Sequence, residues 1–357
     1  MADSLVIYLD HETPNQFTSS QILKVGDKPH LVNTFFHFNF IKFYDLSTGQ
    51  CTKTIRIDEE GPDKLRNLDG GTYFIDSTQF FAIGSLKSIY YVKNTDKLYI
   101  KEIIEQVKYR NPNYLPVIYN DFHPVISMGN HKFFLTNSFQ FRKGGFAFNI
   151  IDTSTLTLTQ KVILPDAFLD GFYGPEDFRE WNFIFDPKRQ ILVANFPNIE
   201  TLYVYDMNFQ SLGKYYAESS IKNSPFKWII RNNDSEEDAV EEIRSLSPKE
   251  LHNRIKSNWV YYALLFDEKH DLYYRIVGLP ISQNDLESED PVKSRIRNYS
   301  IMVMDSEFKL IKEWAIPYNT YGIENLCLVQ YDGYLYLQRK IEEEDIVIFD
   351  KFNLAEI

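Results

Sequence analysis

Two stretches of this 357-residue chain hold most of the side chains with which chemistry could be done. YRNPNYLPVIYNDFHP (Tyr109 to Pro124) sets Tyr119, Asp121 and His123 close together, and FLDGFYGPEDFREW (Phe168 to Trp181) gathers Tyr173, Glu176, Asp177 and Trp181. FRKGGF (Phe141 to Phe146) adds Arg142 and Lys143. An Asp beside a His can hold a metal ion or move a proton. An Arg can meet a carboxylate or phosphate with two parallel hydrogen bonds. Tyr and Trp combine a large contact area with a polar tip, which suits them as interface anchors. Tyr119, Asp121, His123, Arg142, Tyr173, Glu176 and Trp181 are therefore the candidate binding residues. The competing reading is that the aromatics pack their own loops and that pairs such as Glu176 and Asp177 arise by chance among 50 acidic residues.

Stronger signatures are missing. The seven His form no HExxH, the two Cys form no Cys-x-x-Cys, and no G-x-S-x-G nucleophile elbow occurs. GPDKLRNLDGG (Gly61 to Gly71) lacks phosphate-loop spacing and reads as a turn. No catalytic residue is assigned and no cofactor is predicted; Ca²⁺ is the ion that carboxylates at a channel mouth could hold. Cys51 and Cys327 read as two buried thiols, with a single disulfide left open.

A formal net charge of −12 argues against a nucleic-acid partner, since such binding draws on Lys and Arg neutralising phosphates. The longest apolar run, VYYALLF (Val260 to Phe266), is too short to span a membrane. MADSLVIYLD lacks a basic segment followed by an apolar one, so no secretion signal is read there. With 28 Phe and 24 Tyr against 4 Trp, the composition favours sheet over helix.

The elements that must position the candidate residues come from a repeat. IKFYDLSTGQCTKTIRI (Ile41 to Ile57) reads as two short antiparallel strands around a polar bend, and five similar stretches come after it, starting at Ser88, Phe146, Thr201, Tyr299 and Asp345. In each, the first strand ends in Asp or Asn (Asp45, Asn94, Asp152, Asp206, Asp305, Asp350), whose short side chain can close a turn on its own backbone. The intervals are 49, 58, 54, 99 and 45 residues, in the range of propeller blades except for the fourth. From the second hairpin onward another strand pair precedes each.

The expected fold is all-β: a single six-bladed β-propeller of four-stranded antiparallel blades, over roughly 26–57, 70–105, 122–164, 181–217, 259–317 and 323–357. A strand at 5–9 is expected to complete the last blade and close the ring. The long interval is expected to hold a short helical insertion near 235–257. Ser247, Pro248 and Glu250 make a capping box there, and Leu251, Ile255 and Trp259 form an apolar stripe.

FYDLSTGQCTKTIRI, EEGPD (Glu59 to Asp63) and YGPED (Tyr173 to Asp177) give the chain a resemblance to a family of Bacteroidetes lipoproteins of unknown function with a six-bladed, TolB-like β-propeller. The resemblance covers nearly the whole chain, through motifs that are individually weak. It implies a periplasmic or outer-membrane-associated location and a lipid anchor in the full-length precursor.

With strands lettered A to D outward from the channel, A–B and C–D turns share one end of a blade, and B–C and D–A connections share the other. The A–B and C–D turns are short. The D–A connections Gln106 to Asp121, Pro165 to Glu180 and Ser219 to Asn258 are long, as is the B–C insertion Ser282 to Arg295. Long loops on a rigid scaffold are where binding resides. The expectation is a non-enzymatic binding or scaffold propeller that engages a protein or carbohydrate partner through this loop end. The alternative is a propeller hydrolase or lyase with its site at the channel mouth.

Overall fold

A computed structural model of the chain describes all residues except 1–3, 16, 18–19, 36–37, 59–71, 84–88, 95–97, 105–125, 130, 141–144, 164–181, 222–244, 324–327, 341–342 and 357. Strand β1 (Ser4–Tyr8) opens the chain. Five meanders succeed it in sequence order. The first sheet is β2 (Ser20–Val25), β3 (Lys28–Phe35), β4 (Phe40–Asp45) and β5 (Cys51–Arg56). The second is β6 (Thr72–Phe74), β7 (Gln79–Ile83), β8 (Ile89–Asn94) and β9 (Leu98–Ile104). The third is β10 (Ile126–Ser127), β11 (Lys132–Gln140), β12 (Gly145–Asp152) and β13 (Thr157–Ile163).

The fourth is β14 (Asn182–Asp186), β15 (Ile191–Asn195), β16 (Thr201–Asp206) and β17 (Ser211–Tyr216). The fifth is β18 (Val260–Asp267), β19 (Leu272–Gly278), β20 (Tyr299–Met304) and β21 (Leu310–Ile316). In the sixth, β22 (Leu328–Tyr331), β23 (Tyr334–Gln338) and β24 (Ile346–Phe352) take β1 as their fourth strand, Ser4 opposite Asp350 and Tyr8 opposite Ile346. The chain is thus an all-β protein of four-stranded antiparallel blades, the β-propeller architecture. The first sheet begins at Ser20, six residues before the expected boundary, because β2 is a fourth strand that the hairpin pattern did not reveal.

Two compact units are distinguished. One (Met1–Ile163 and Asn325–Asn353) holds the first, second, third and sixth sheets; the other (Leu164–Glu324 and Leu354–Ile357) holds the fourth and fifth. Neighbouring sheets within a unit bury aromatic and aliphatic faces against each other. Phe43, Phe74 and Phe80 join the first sheet to the second, while Phe17, Tyr44 and Phe349 join the sixth to the first. Val204, Trp259, Tyr273 and Met302 belong to the core shared by the fourth and fifth. The third strands, β4 and β20, are buried along their whole length, whereas the outer strands β5 and β17 are largely exposed.

Aspartates build the tight-turn end. The Asp45, Asp152, Asp206 and Asp305 carboxylates each accept the amide two residues on, at 2.8–2.9 Å. Asp76, Asp186 and Asp267 do the same at A–B turns, which the hairpin pattern had not indicated. Asp350 turns nothing: it accepts the Ser4 hydroxyl and pairs with Arg339. The bend after Asn94 lies outside the described residues. Gly49 closes its turn at φ +69°, where a Cβ would stand 1.9 Å from the Val6 carbonyl oxygen, and its own carbonyl accepts the Tyr8 amide. The first sheet's C–D turn therefore seats β1.

Cys51 is exposed with a free thiol, contrary to the expected burial, because it opens an outer strand. Cys327 lies outside the described residues.

Candidate functional site

All seven candidate residues, Tyr119, Asp121, His123, Arg142, Tyr173, Glu176 and Trp181, lie outside the described residues, as does the first part of the expected helical insertion. The loop end is described best at the fifth sheet, where the longest expected D–A connection meets the expected B–C insertion.

From the D–A side comes α1 (Pro248–Lys256). Ser247 caps it: its hydroxyl accepts the Glu250 amide at 3.3 Å, and the Glu250 carboxylate accepts the Ser247 amide at 2.9 Å, with Pro248 at the first helical position. The Ser247 hydroxyl and amide hold the Glu250 carboxyl below its usual range. The helix ends before Trp259, so the expected apolar stripe is shorter than predicted. Leu251 and Ile255 are half-buried on the helix, and Trp259 enters the core at the mouth of β18.

From the B–C side come α2 (Gln283–Leu286), capped by Ser282, and α3 (Pro291–Arg295), capped by Asp290. Leu286 is the apolar anchor of this insertion, buried beneath it. Two contacts draw the insertions together, a ring nitrogen of His252 lying 3.2 Å from the Ser294 carbonyl and the Ile281 amide donating to Lys256 O at 2.9 Å. The Tyr318 hydroxyl, from the segment after β21, donates to Val292 O at 3.1 Å and holds the B–C insertion from the other side of the sheet's sequence.

The keystone is Arg297, 2% exposed. Its guanidinium donates to the carbonyls of Ile255 (2.7 Å), Lys256 (3.1 Å), Leu279 (3.2 Å) and Asn258. A helix leaves its last carbonyls without intrahelical partners and carries partial negative charge there, so a buried cation at that point satisfies both. Arg297 thereby fixes a D–A helix onto a B–C insertion. Nothing in its sequence context, RIRNYS, marks it: periodicity places Arg297 just past a polar insertion, where a solvated side chain is the default reading.

Arg275 supports the platform from within. On β19 it is fully buried, its guanidinium carbon 3.3 Å from the centroid of the Tyr261 ring. It donates to Asn195 Oδ1 (2.7 Å), Ile199 O (2.6 Å), Glu200 O (2.9 Å) and Ala217 O (2.6 Å). These bonds tie the fourth sheet's B–C connection to the fifth sheet. Burial pulls the guanidinium down to about 10, which leaves it charged at neutral pH.

The outward surface of the cap is polar and mixed in sign, with Glu287, Glu289 and Asp290 exposed beside Lys293 and Arg295. Such a surface can exchange charged hydrogen bonds with a partner. No group of three or more His, Cys, Asp or Glu suited to a metal ion occurs among the described residues. The described carboxylate–imidazole pair, His270 Nδ1 to Asp267 Oδ2 at 2.7 Å, stands at the opposite, tight-turn end. There the Tyr274 hydroxyl also donates to Asp267, and Arg189 bridges Asp186 and Asp271. These groups close A–B turns. No described helix is long and apolar enough to cross a membrane.

The likeness to known proteins is first one of fold. A member of the DUF4221 family from Bacteroides vulgatus ATCC 8482 superposes with a TM-score of 0.73 at 16% identity, over 99% of this chain and 97% of that one. A candidate exported protein of Bacteroides fragilis NCTC 9343 superposes with a TM-score of 0.53 at 11% identity, over 98% and 94%. No curated protein matches. The model of DUF4221, a domain of unknown function, matches residues 1–315 of the 357, and this chain belongs to that family.

Proposed function

We propose that the chain is a binding or scaffold module that engages a protein or glycan partner through the loop end of its blades. The carrying observation is the capped fifth sheet: two insertions from different connections are locked together by one buried arginine, Arg297, and present a charged outer surface. An ordered, polar surface of this kind is preorganised, which lowers the entropy lost on association. The role requires no cofactor.

In this reading the six sheets are six blades of one ring, with β1 completing the blade begun by the last three strands; the pairing of β1 with β24 supports that closure. The reading also places the protein in the cell envelope, periplasmic or associated with the outer membrane and lipid-anchored in its precursor. The export suggested for the Bacteroides fragilis protein supports this location.

The test reverses the cap's charge without touching its supports. Lys293 and Arg295 are exposed, so Lys293→Glu with Arg295→Glu leaves the fold intact, which an unchanged thermal unfolding curve verifies. Crosslinking affinity capture from envelope extract should recover partners with the parent protein and lose them with the double variant. Equal recovery would show that the cap is not the recognition surface.

A further inference from the structure

A second set of groups meets at the loop end of the first sheet, in the other compact unit, around the buried ring of Phe40. The exposed Phe38 ring lies 5.8 Å from it, centroid to centroid, and the Arg56 guanidinium stands over it at 5.7 Å. Lys42 Nζ lies 5.1 Å from the same ring. Around this hub the charges are paired. Arg56 donates to Glu12, and Lys42, 1% exposed, donates to Asp10 and to the Thr13 hydroxyl at 2.6 Å. The Thr13 hydroxyl in turn donates to Asp10 Oδ1 at 2.6 Å, which fixes the connection between β1 and β2 against the sheet.

We propose that this cluster is a binding subsite for an uncharged carbohydrate, with the face of Phe38 as its stacking surface and Arg56, Glu12 and Asp10 as its hydrogen-bonding rim. A lone exposed aromatic is an ordinary surface feature. Phe38 differs in its frame: the ring is 55% exposed and lies against the Phe40 ring over which Arg56 stands, and Arg56, Glu12 and Asp10, each about half exposed and with spare donors or acceptors, are held by the ion pairs around that hub. A pyranose matches both parts, with C–H bonds on one face for the ring and hydroxyls at its edge for guanidinium and carboxylate.

The charge balance selects for neutrality. Two cations and two anions already satisfy one another, so a charged ligand would have to break a pair, one of them anchored by a buried ammonium. The chain's net charge of −12 further disfavours an acidic polysaccharide. The subsite is built by the first sheet and the connection that leads into it from β1, and stands whether or not the fifth-sheet cap binds anything.

Titration calorimetry with neutral hexasaccharides (cellohexaose, laminarihexaose, mannohexaose, xylohexaose and maltohexaose) tests it, with oligogalacturonate and a mixed tryptic peptide pool as the charged and peptide arms. At least one neutral hexasaccharide should bind. Phe38→Ala should weaken that binding tenfold or more, Phe38→Tyr should retain it, and the Lys293→Glu/Arg295→Glu cap variant should leave it unchanged. Retained binding by the aromatic variant keeps the result separate from misfolding. Binding of none of the neutral sugars, binding confined to oligogalacturonate or peptides, or equal affinity of Phe38→Ala and the parent would each overturn the proposal.

Discussion

Arg275 and Arg297 show how a side chain of little sequence signal can decide local structure. Each is buried without a carboxylate ion pair among the described residues, and each donates chiefly to backbone carbonyls that would otherwise face an apolar interior, Arg297 keeping its Nε without an acceptor. Replacing Arg275 by Met would orphan Asn195 Oδ1, Ile199 O and Ala217 O, whereas Glu200 O keeps the Ala217 amide. At about 1–3 kcal/mol for each buried acceptor left unpaired, the variant should lose at least about 3 kcal/mol. Denaturant titration of R275M beside R275K checks this, and Lys should not rescue, since one ammonium cannot reproduce the fork. The turn aspartates were legible where the arginines were not, because an Asx-turn is local: Asp45, Asp152, Asp206 and Asp305 each bond within four residues. Asp350 shares their sequence setting and fails to turn, since its carboxylate is engaged by β1, a strand from the other end of the chain.

At the scale of the element, a second repeat runs beside the hairpins. A lysine on the outer strand pairs in register with an apolar residue on the third strand in five sheets: Lys53 with Phe43, Lys101 with Tyr91, Lys161 with Phe148, Lys214 with Tyr203 and Lys312 with Val303. Lys53 and Lys214 hold their ammonium groups over the rings of Phe43 and Tyr203. The outer strand is the open edge of each sheet, and a lysine there opposes pairing with another chain. Register shifts on the outer strands of the first, fourth and fifth sheets twist the edge further. Lys53, Lys214 and Lys312 changed together to Val should therefore unfold at nearly the parent temperature yet self-associate, seen as concentration-dependent light scattering; a monodisperse triple variant would refute the guarding role. Alternation of strong apolar residues made the third and fourth strands readable. β2 escaped because SQILKV, buried at Ser20, half-buried over most of its length and exposed at Lys24, carries no clean period of two.

For the whole molecule, acid is the condition to which these turns respond together. Hydrogen bonds from the Ser47 hydroxyl and amide hold the Asp45 carboxyl down at about 2. Partial burial pushes Asp10 up, but Lys42 and Thr13 outweigh it and hold that carboxyl at about 2 as well. Asp152 is lowered by Ser154, and Asp271 by Arg189. Folded carboxylates depressed below an unfolded value of roughly 4 stabilise the fold fully above that pH, and the contribution is lost as pH falls towards roughly 2. The thermal midpoint should accordingly be flat from neutral down to about pH 5 and drop steeply below about pH 4, a profile that scanning calorimetry would contradict by showing a decline already near pH 6.

The hairpin repeat made the blades legible from sequence because each is a local meander. The join between the two chain ends is different in kind: β1 and β24 are more than 300 residues apart and share no local pattern, so their pairing is read only from a last sheet short of its fourth strand and an apolar stretch at 5–9 able to supply it. That join should be where integrity is most concentrated. Deleting residues 1–9 removes five paired residues, the Ser4–Asp350 bond, the Tyr8–Gly49 bond and the buried Ile7, and bares the edge of β24. An uncovered strand edge recruits other chains. The truncated protein should melt well below the parent and form dimers or larger species, and a synthetic SLVIYLD peptide added in excess should raise the midpoint and restore the monomer by occupying the vacated edge. If truncation leaves both melting temperature and sedimentation unchanged, β1 is an ornament on the sixth sheet, and that sheet does not depend on it.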